Sequence, residues 1–392
     1  MKVVYYTYPA FFDASICLIQ ALSKKVDLHV ILEISPDSYT SPLFDLKNIP
    51  LIAGIIAAGP ILRSILPEKA HPFFENLEGF YLSVSYQKRS IHYETIWQGM
   101  RVSRLVDKIK PDLVYFEDIS LRMALNSFWL KKYPWVMGVH DSRPHSGEEN
   151  WRQSLSRKLT LGRNTPFIFH SKHQQDVFIE DHPELAPQTN VIPLGPYNIY
   201  KAWAEDSKPQ PGRNILFLGR LSHYKGLEVL LDAMKLVCAQ LENVTLTIAG
   251  RAVEGYYPPK TPQLSNNGKI IFLEKYITPT DLAAYFTGTT CVVCPYIDAT
   301  QSGVALTAYA FEKPVIATRT GGLPEYVFHE QTGLLVRPND PSELAMAIIQ
   351  ILENAGLHRR LRDGLISLSQ GPLLWDNICT QYIDIFNRTI YK

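Results

Sequence analysis

Three groups of residues in this 392-residue chain have the types and spacing to do chemistry. The first is the turn Asp298, Ala299, Thr300, Gln301, Ser302, Gly303, set between the apolar run CVVCPY at 291–296 and a helix of small residues. A buried strand that hands over to a helix through such a turn gathers hydroxyls and free backbone N–H groups at the positive end of a helix dipole. That combination makes an anion site, most often for phosphate. The second group is Gly219-Arg220-Leu221-Ser222-His223-Tyr224-Lys225-Gly226. Its guanidinium can fork onto two phosphate oxygens, and its ammonium adds a mobile point charge. The bland alternative is a pair of surface basics beside a turn. The third is His140-Asp141, at the end of the apolar run WVMGVH, a strand-end position of the kind at which α/β folds bind ligands. With His145, Glu148 and Glu149 it can also be read as a set of metal donors, although no pair has helical spacing, and a lone histidine is usually structural.

The elements that must hold these groups are readable from periodicity. Residues 2–8, 27–33, 112–116, 135–140, 166–171 and 190–194 form β-rich runs, with helical spacing at 14–25, 101–110 and 172–180. Residues 34–95 show no clean period. Residues 204–213 (AEDSKPQPGR) have the composition of a linker. A second strand and helix series then begins at 214–219, 227–241 and 244–250. Thr278-Pro279 and Asp340-Pro341, each followed by an acid at the third helical position, predict N-caps with proline first in the helix. A final amphipathic helix is predicted over 375–391. The opening turn, Pro9-Ala10-Phe11-Phe12-Asp13, lacks the glycines of a dinucleotide fingerprint, so a phosphate in this half is not expected.

Pro295, Ser302-Gly303, Ala308-Tyr309-Ala310, Lys313 to Ala317 and Gly321-Gly322-Leu323-Pro324-Glu325, together with Gly219-Arg220 and Lys225-Gly226, resemble the donor-binding half of the retaining glycosyltransferases of family 4. The resemblance is specific from about residue 214 to 338 and runs only in outline through the N-terminal half. It implies an α/β GT-B fold, two facing Rossmann-like domains with parallel sheets and a cleft between them. The implied division is residues 1–203 as acceptor domain, 204–213 as linker, 214–371 as donor domain, and 372–392 as a helix crossing back. It also implies transfer of a sugar from a nucleotide-diphosphate sugar to a hydroxyl acceptor, without a cofactor or a metal. His140 would then face the donor sugar, with Arg220 and Lys225 on the diphosphate. Fixed cations there stabilise the departing charge more than the ground state. Thr300, Gln301, Ser302 and Gly303 would complete the cradle, while Tyr276, Ile277 and Thr307 would lie at the nucleoside. The family usually has two glutamates eight positions apart in this half, and this chain has Ala299 and Thr307 there. That departure keeps a second reading open, a glycosyltransferase-like subunit that binds without turning over. Another GT-B chemistry such as phosphorolysis is a third.

Composition sets outer limits. A formal charge of +1 argues against a nucleic-acid partner held by bulk electrostatics. The five cysteines have no framework spacing, and Cys291 and Cys294, three apart in a strand, should point to opposite faces. The start of the chain does not read as a secretory signal, and the longest apolar run, 49–62, is too short to span a bilayer. A cytoplasmic location is expected. Arg101, Arg104 and Lys108 share one helix face, for which a solvated surface is the ordinary reading and peripheral contact with an anionic inner membrane face the alternative.

Overall fold

The computed structural model describes residues 1–39, 41–143, 151–161, 165–204 and 212–391, with the backbone only at 153. Two parallel sheets organise it. The first is built from β1 (Lys2–Thr7), α1 (Phe12–Ser23), β2 (Asp27–Ile34), β3 (Gly54–Ala57), α2 (Gly59–Ile65), β4 (Gly79–Val84), α3 (Tyr93–Ile109), β5 (Leu113–Glu117), α4 (Leu121–Asn126), β6 (Trp135–Val139), α5 (Trp151–Leu161), β7 (Phe167–Phe169), α6 (Lys172–Asp181) and β8 (Thr189–Val191). Its strand order is β3-β4-β2-β1-β5-β6-β7-β8, parallel throughout except for the edge pair β3 and β4.

The second is built from β9 (Arg213–Leu218), α7 (Leu227–Gln240), β10 (Val244–Ala249), β11 (Lys269–Leu273), α8 (Pro279–Gly288), β12 (Cys291–Cys294), α9 (Gly303–Ala310), β13 (Val315–Thr318), α10 (Leu323–Tyr326) and β14 (Gly333–Val336). Its order is β11-β10-β9-β12-β13-β14. Helices α11 (Pro341–Glu353), α12 (Ala355–Gln370) and α13 (Trp375–Ile390) follow.

Each sheet has one switch point, between β1 and β5 and between β9 and β12, where successive strands diverge and their carboxyl ends leave a crevice. All three groups of chemistry-bearing residues lie just past such ends: 219–226 after β9, 295–303 after β12, and His140-Asp141 after β6. The strands are continuous apolar runs because helices cover both faces. Cys294 packs in the core cluster that also holds Tyr5, Leu216 and Phe386, whereas Cys291 packs in the cluster between the second sheet and α7 and α11. The two thiols therefore lie on opposite faces, as strand alternation requires. All five cysteines are free and buried.

The caps foreseen at Thr278 and Asp340 are present: Asp281 N–H donates to Thr278 Oγ1 at 3.1 Å, and Glu343 N–H to Asp340 Oδ1 at 2.8 Å. Helix α13 packs on the first domain. Lys25 Nζ donates to the Asp376 carbonyl at 3.0 Å, and the Tyr382 ring lies 5.7 Å edge-on to Tyr115. The stretch 34–95, without period in the sequence, holds β3, α2, β4 and the start of α3. Strand β3 is four residues long and pairs on one side only, too short to show alternation. Helix α3 also begins eight residues before the predicted 101, because its first two turns expose Tyr93, Ile96 and Trp97 and so break the expected polar outer face. Most of the expected linker, and His145, Glu148 and Glu149, lie outside the described residues. No helix among the described residues is long and apolar enough to cross a membrane.

Candidate functional site

The loop 219–226 and the turn 295–303 are brought together by backbone contact. Gly226 has φ +67 and caps α7, and a Cβ there would sit 2.0 Å from the Pro295 carbonyl oxygen. Only glycine lets the two loops touch in this way. Ile297 N–H donates to the Tyr224 carbonyl at 2.7 Å, closing the junction. Lys225 Nζ lies 3.7 Å from the centroid of the Tyr296 ring, a cation–π contact that holds the ammonium beside the start of α9. Arg220 is exposed at the mouth of the same junction, and Gly219 beside it lies close to Val304 in the first turn of α9. Lys225 and the start of α9 thus meet at this junction, with Arg220 exposed in the adjoining loop.

The turn itself reaches across to the first domain. Thr300 Oγ1 donates to Asp141 Oδ1 at 2.8 Å, and the Gln301 amide meets His140 Nδ1 at 3.1 Å. The Phe11 ring stacks on the His140 imidazole with centroids 4.0 Å apart, so His140 is wholly buried in this closed arrangement. Ser302 is buried, and its hydroxyl accepts from Ala305 N–H at 3.3 Å as the N-cap of α9. Ser302 therefore sits at the helix start with its hydroxyl oxygen turned to the backbone of α9. The Tyr197 ring packs against Gly303. Thr307 is also buried and donates to the Gly303 carbonyl one turn back, at 2.7 Å, so its hydroxyl does not present a donor to the cleft. Tyr276 is half exposed and bridges the domains by donating to the Ser41 carbonyl at 2.6 Å, with Ile277 partly buried beside it. Ala299 is buried under the Gly321-Gly322 loop, where a Cβ on Gly321 would lie 1.5 Å from the Ala299 oxygen. That loop positions Glu325, whose carboxylate accepts from Lys172 N–H at 2.6 Å and His173 N–H at 2.7 Å, capping α6 of the facing domain.

Behind His140 lies a network that sequence reasoning missed. Glu117, the last residue of β5, is fully buried and accepts from His140 Nε2 at 2.5 Å, Tyr5 Oη at 2.5 Å and Tyr115 Oη at 2.7 Å. His170 stands 3.6 Å from the same carboxylate and hydrogen-bonds the Ile192 carbonyl through Nδ1. Burial alone would push the Glu117 carboxyl up, but the charge of and hydrogen bond from His140 outweigh it and hold the group far below the ordinary carboxylate range. Burial likewise pulls the His140 imidazolium down, and Glu117, with Asp118 and Asp141, more than restores it. His170 is pulled down by burial and by the neighbouring His140 cation. The surroundings thus favour the ionised form of Glu117, the charged form of His140 and the neutral form of His170. Donor atoms of Glu117, His140 and His170 all lie within 4.8 Å of one another. The carboxylate is already engaged by two phenols and an imidazole, so an ion placed among them would have to break those bonds. A carboxylate ending an apolar strand was the one available signal, and its partners lie 112, 23 and 2 positions away.

Two sheets facing each other across such a cleft define the GT-B class. Solved structures of that architecture match along the whole length: Anabaena HepE in complex with UDP (TM-score 0.65, 20% identity, 99% of this chain and 100% of that one) and sucrose-phosphate synthase from Thermosynechococcus elongatus (TM-score 0.65, 19% identity, 99% of each). Residues 212–354 match the family described as Glycosyl transferases group 1. Among curated relatives, an uncharacterized glycosyltransferase of Methanocaldococcus jannaschii is 30% identical over 44% of each chain. A D-inositol 3-phosphate glycosyltransferase of Nocardioides sp. is 28% identical over 46% of this chain and 42% of its own. The matched region spans less than half the length of these curated relatives.

Proposed function

We propose that this chain is a retaining glycosyltransferase that moves a sugar from a nucleotide-diphosphate sugar to a hydroxyl acceptor, without a metal, in the cytoplasm. The observation that carries this reading is the junction at which Gly226 meets Pro295: Lys225 stands there on the Tyr296 ring, whose hydroxyl lies 3.4 Å from Ser302 at the start of α9, and Arg220 is exposed in the same loop. In the reaction, the bond from the anomeric carbon to the diphosphate oxygen breaks, its electron pair stays on that oxygen, and Arg220 and Lys225 stabilise the negative charge that develops there. The acceptor oxygen bonds to the same face of that carbon, and its proton passes to an oxygen of the departing phosphate. The protein contributes positioning and fixed charge. HepE has been solved with UDP and with UDP-glucose, which makes uridine diphosphate the first nucleotide to try. Assembly of a polysaccharide, a glycolipid or a glycosylated small molecule is the setting that agrees with the family.

Thr307, turned into its own helix, and Ala299, in place of the usual glutamates, favour the reading as a silent binding subunit. One measurement separates the enzyme from a silent subunit that binds only a partner, and release of sugar from the stabilising conjugate then separates it from one that binds nucleotide without turnover. A nucleotide that binds only the folded chain stabilises it by about 2.7 kcal/mol at a hundredfold excess over Kd. UDP, GDP, dTDP and ADP, alone and as sugar conjugates, are compared by thermal shift on the wild type and on Arg220→Ala with Lys225→Ala. The expected result is that one nucleotide raises the wild-type Tm and leaves the double variant unmoved. No shift in the wild type at millimolar nucleotide would replace the enzymatic reading with the silent one.

A further inference from the structure

A wide concavity lies away from the cleft cations, on the outer face of the first domain. It is a groove of about 1190 Å³ between α3, the 3-10 turn Ser127–Leu130 that follows α4, and α5. Its walls are apolar, and large side chains stand exposed in and beside it: Tyr93, Ile96, Trp97, Phe128 and Trp129. Tyr93 and Phe128 are 69% and 59% exposed, far more than a packed aromatic would be. A contiguous patch of this kind marks an interaction surface.

Cations stand in and around it. Lys131 lines the groove, with its Nζ 3.7 Å over the Phe128 ring, and Lys158 is exposed on α5 next to Leu159; farther off, Arg101 and Arg104 continue the exposed face of α3 beyond Trp97 and line a separate concavity against β3, and Arg152 lines a polar pocket. Of the acids on these elements, Asp107 is paired with Lys132 at 2.7 Å, and Glu94 accepts from Tyr86 N–H at 2.8 Å. Aromatic rings with cations around them match the interface of an anionic bilayer, where rings sit at headgroup depth and cations meet lipid phosphates. The face of a second copy of this same chain would bring cation against cation.

The groove also has a polar neighbour. A pocket of about 330 Å³ lined by Tyr8, Glu33, Asp118 and Arg122 opens at the carboxyl ends of β1, β2 and β5, on the cleft side of the sheet. Ser90 lines the pocket and Ile91 the groove; Arg122 the pocket and Leu125 the groove; Ser156 the pocket and Leu159 the groove. The two cavities therefore run end to end along α4 and α5. Arg122 is 3% exposed and its Nη1 has no partner among the described residues, so the pocket holds a buried cationic donor with bonding capacity unused.

We propose that this face docks on an anionic bilayer and receives the hydrocarbon of a membrane lipid in the groove, with the lipid's head group in the polar pocket. Combined with the transfer reaction above, on which this last step rests, the acceptor is lipid-linked. The docking itself needs no donor and is tested without one.

The test is co-sedimentation of the full chain with phosphatidylglycerol and with phosphatidylcholine vesicles at about 0.1 M salt, where surface charges separated by more than about 10 Å are screened. Tryptophan emission is followed in parallel, with a bromine-labelled lipid as quencher. The expected result is binding to the anionic vesicles, a blue shift, and quenching of Trp97 and Trp129. Ile96→Glu with Phe128→Glu, both at exposed positions, should weaken vesicle binding at least about tenfold with an unchanged thermal midpoint. Arg101→Glu with Arg104→Glu should weaken it and flatten its salt dependence. Absence of binding to anionic vesicles overturns the proposal, as does binding that the Glu variants leave intact. A wild type that sediments as a dimer and a Glu variant that sediments as a monomer would also overturn it, in favour of a second copy on this face. Failure of nucleotide binding with intact vesicle binding would overturn the transfer reading alone.

Discussion

Glu117 concentrates the residue-scale energetics of the site. A carboxylate buried among Tyr5, Tyr115, His140 and His170 is tolerable only while His140 carries the compensating charge. Glu117 is depressed in the folded chain, so its contribution is present above the ordinary carboxylate value of 4.5 and is lost as pH falls towards its folded value. His140 is raised, so its contribution is complete below the ordinary imidazole value of 6.5 and is lost as pH rises through its folded value. The pair therefore stabilises most between about pH 4.5 and 6.5. Glu117→Gln should cost about 3 kcal/mol in that window, by urea denaturation, with a gap that narrows above it. A gap independent of pH would show that Glu117 acts by packing alone. None of this was legible in the sequence. His140 could be singled out by its place after a strand, but a buried carboxylate has meaning only through partners that folding brings from elsewhere.

At the scale of elements, what could be read was what is local. The caps at Thr278 and Asp340 are set by a residue and its neighbour three positions on, and both form as expected. The two loops that carry Arg220 and Gln301 were recognisable because glycines fix them, and the reason is now geometric: Gly226 against Pro295, and Gly321 against Ala299. Strands β3 and β4 were not recognisable. One is a short edge strand, and the other, FYLSV, lies in an aromatic stretch whose pairing with β2 is what makes it a strand. Glu325 shows the same limit. Its place in the first turn of α10 is local and was visible, whereas its bonds to Lys172 and His173 cross between the domains. Glu325→Ala should lower the thermal midpoint by the equivalent of about 1 kcal/mol, the usual size of a lost cap. Glu325→Gln should retain part of that. Equal losses in the two variants would point to charge at the helix terminus rather than to the hydrogen bonds.

At the scale of the whole molecule, the cleft is shut where a donor sugar would lie, by Thr300 on Asp141 and Gln301 on His140. A donor must displace these bonds or part the domains. Hydrogen exchange with and without the stabilising nucleotide should change protection at 297–303 and at 140–142 together; a change confined to 219–226 would mean that the nucleotide enters without opening the interface. The facing-sheet fold was legible because each half repeats strand, helix, strand and the motifs of the second half resemble a family with that fold. The position of Thr307 was also visible, but its turn into its own helix was not, since nothing in a threonine announces whether its hydroxyl serves the backbone or a ligand.

The packing of α13 has a consequence for how the chain is made. Tyr382 and Phe386 lie against Tyr115 and belong to the same core as Tyr5 and Leu28. During synthesis from the amino end, the first sheet is translated in full while this wall of its interior is missing, and it stays so until about residue 390 has emerged. The first domain must therefore wait, with apolar surface uncovered, for nearly two hundred further residues. Its final consolidation couples to the second domain by order of manufacture rather than by contact alone. Such a chain should lean on holding factors during translation, and the waiting surface includes the Tyr115 side of the Glu117 network.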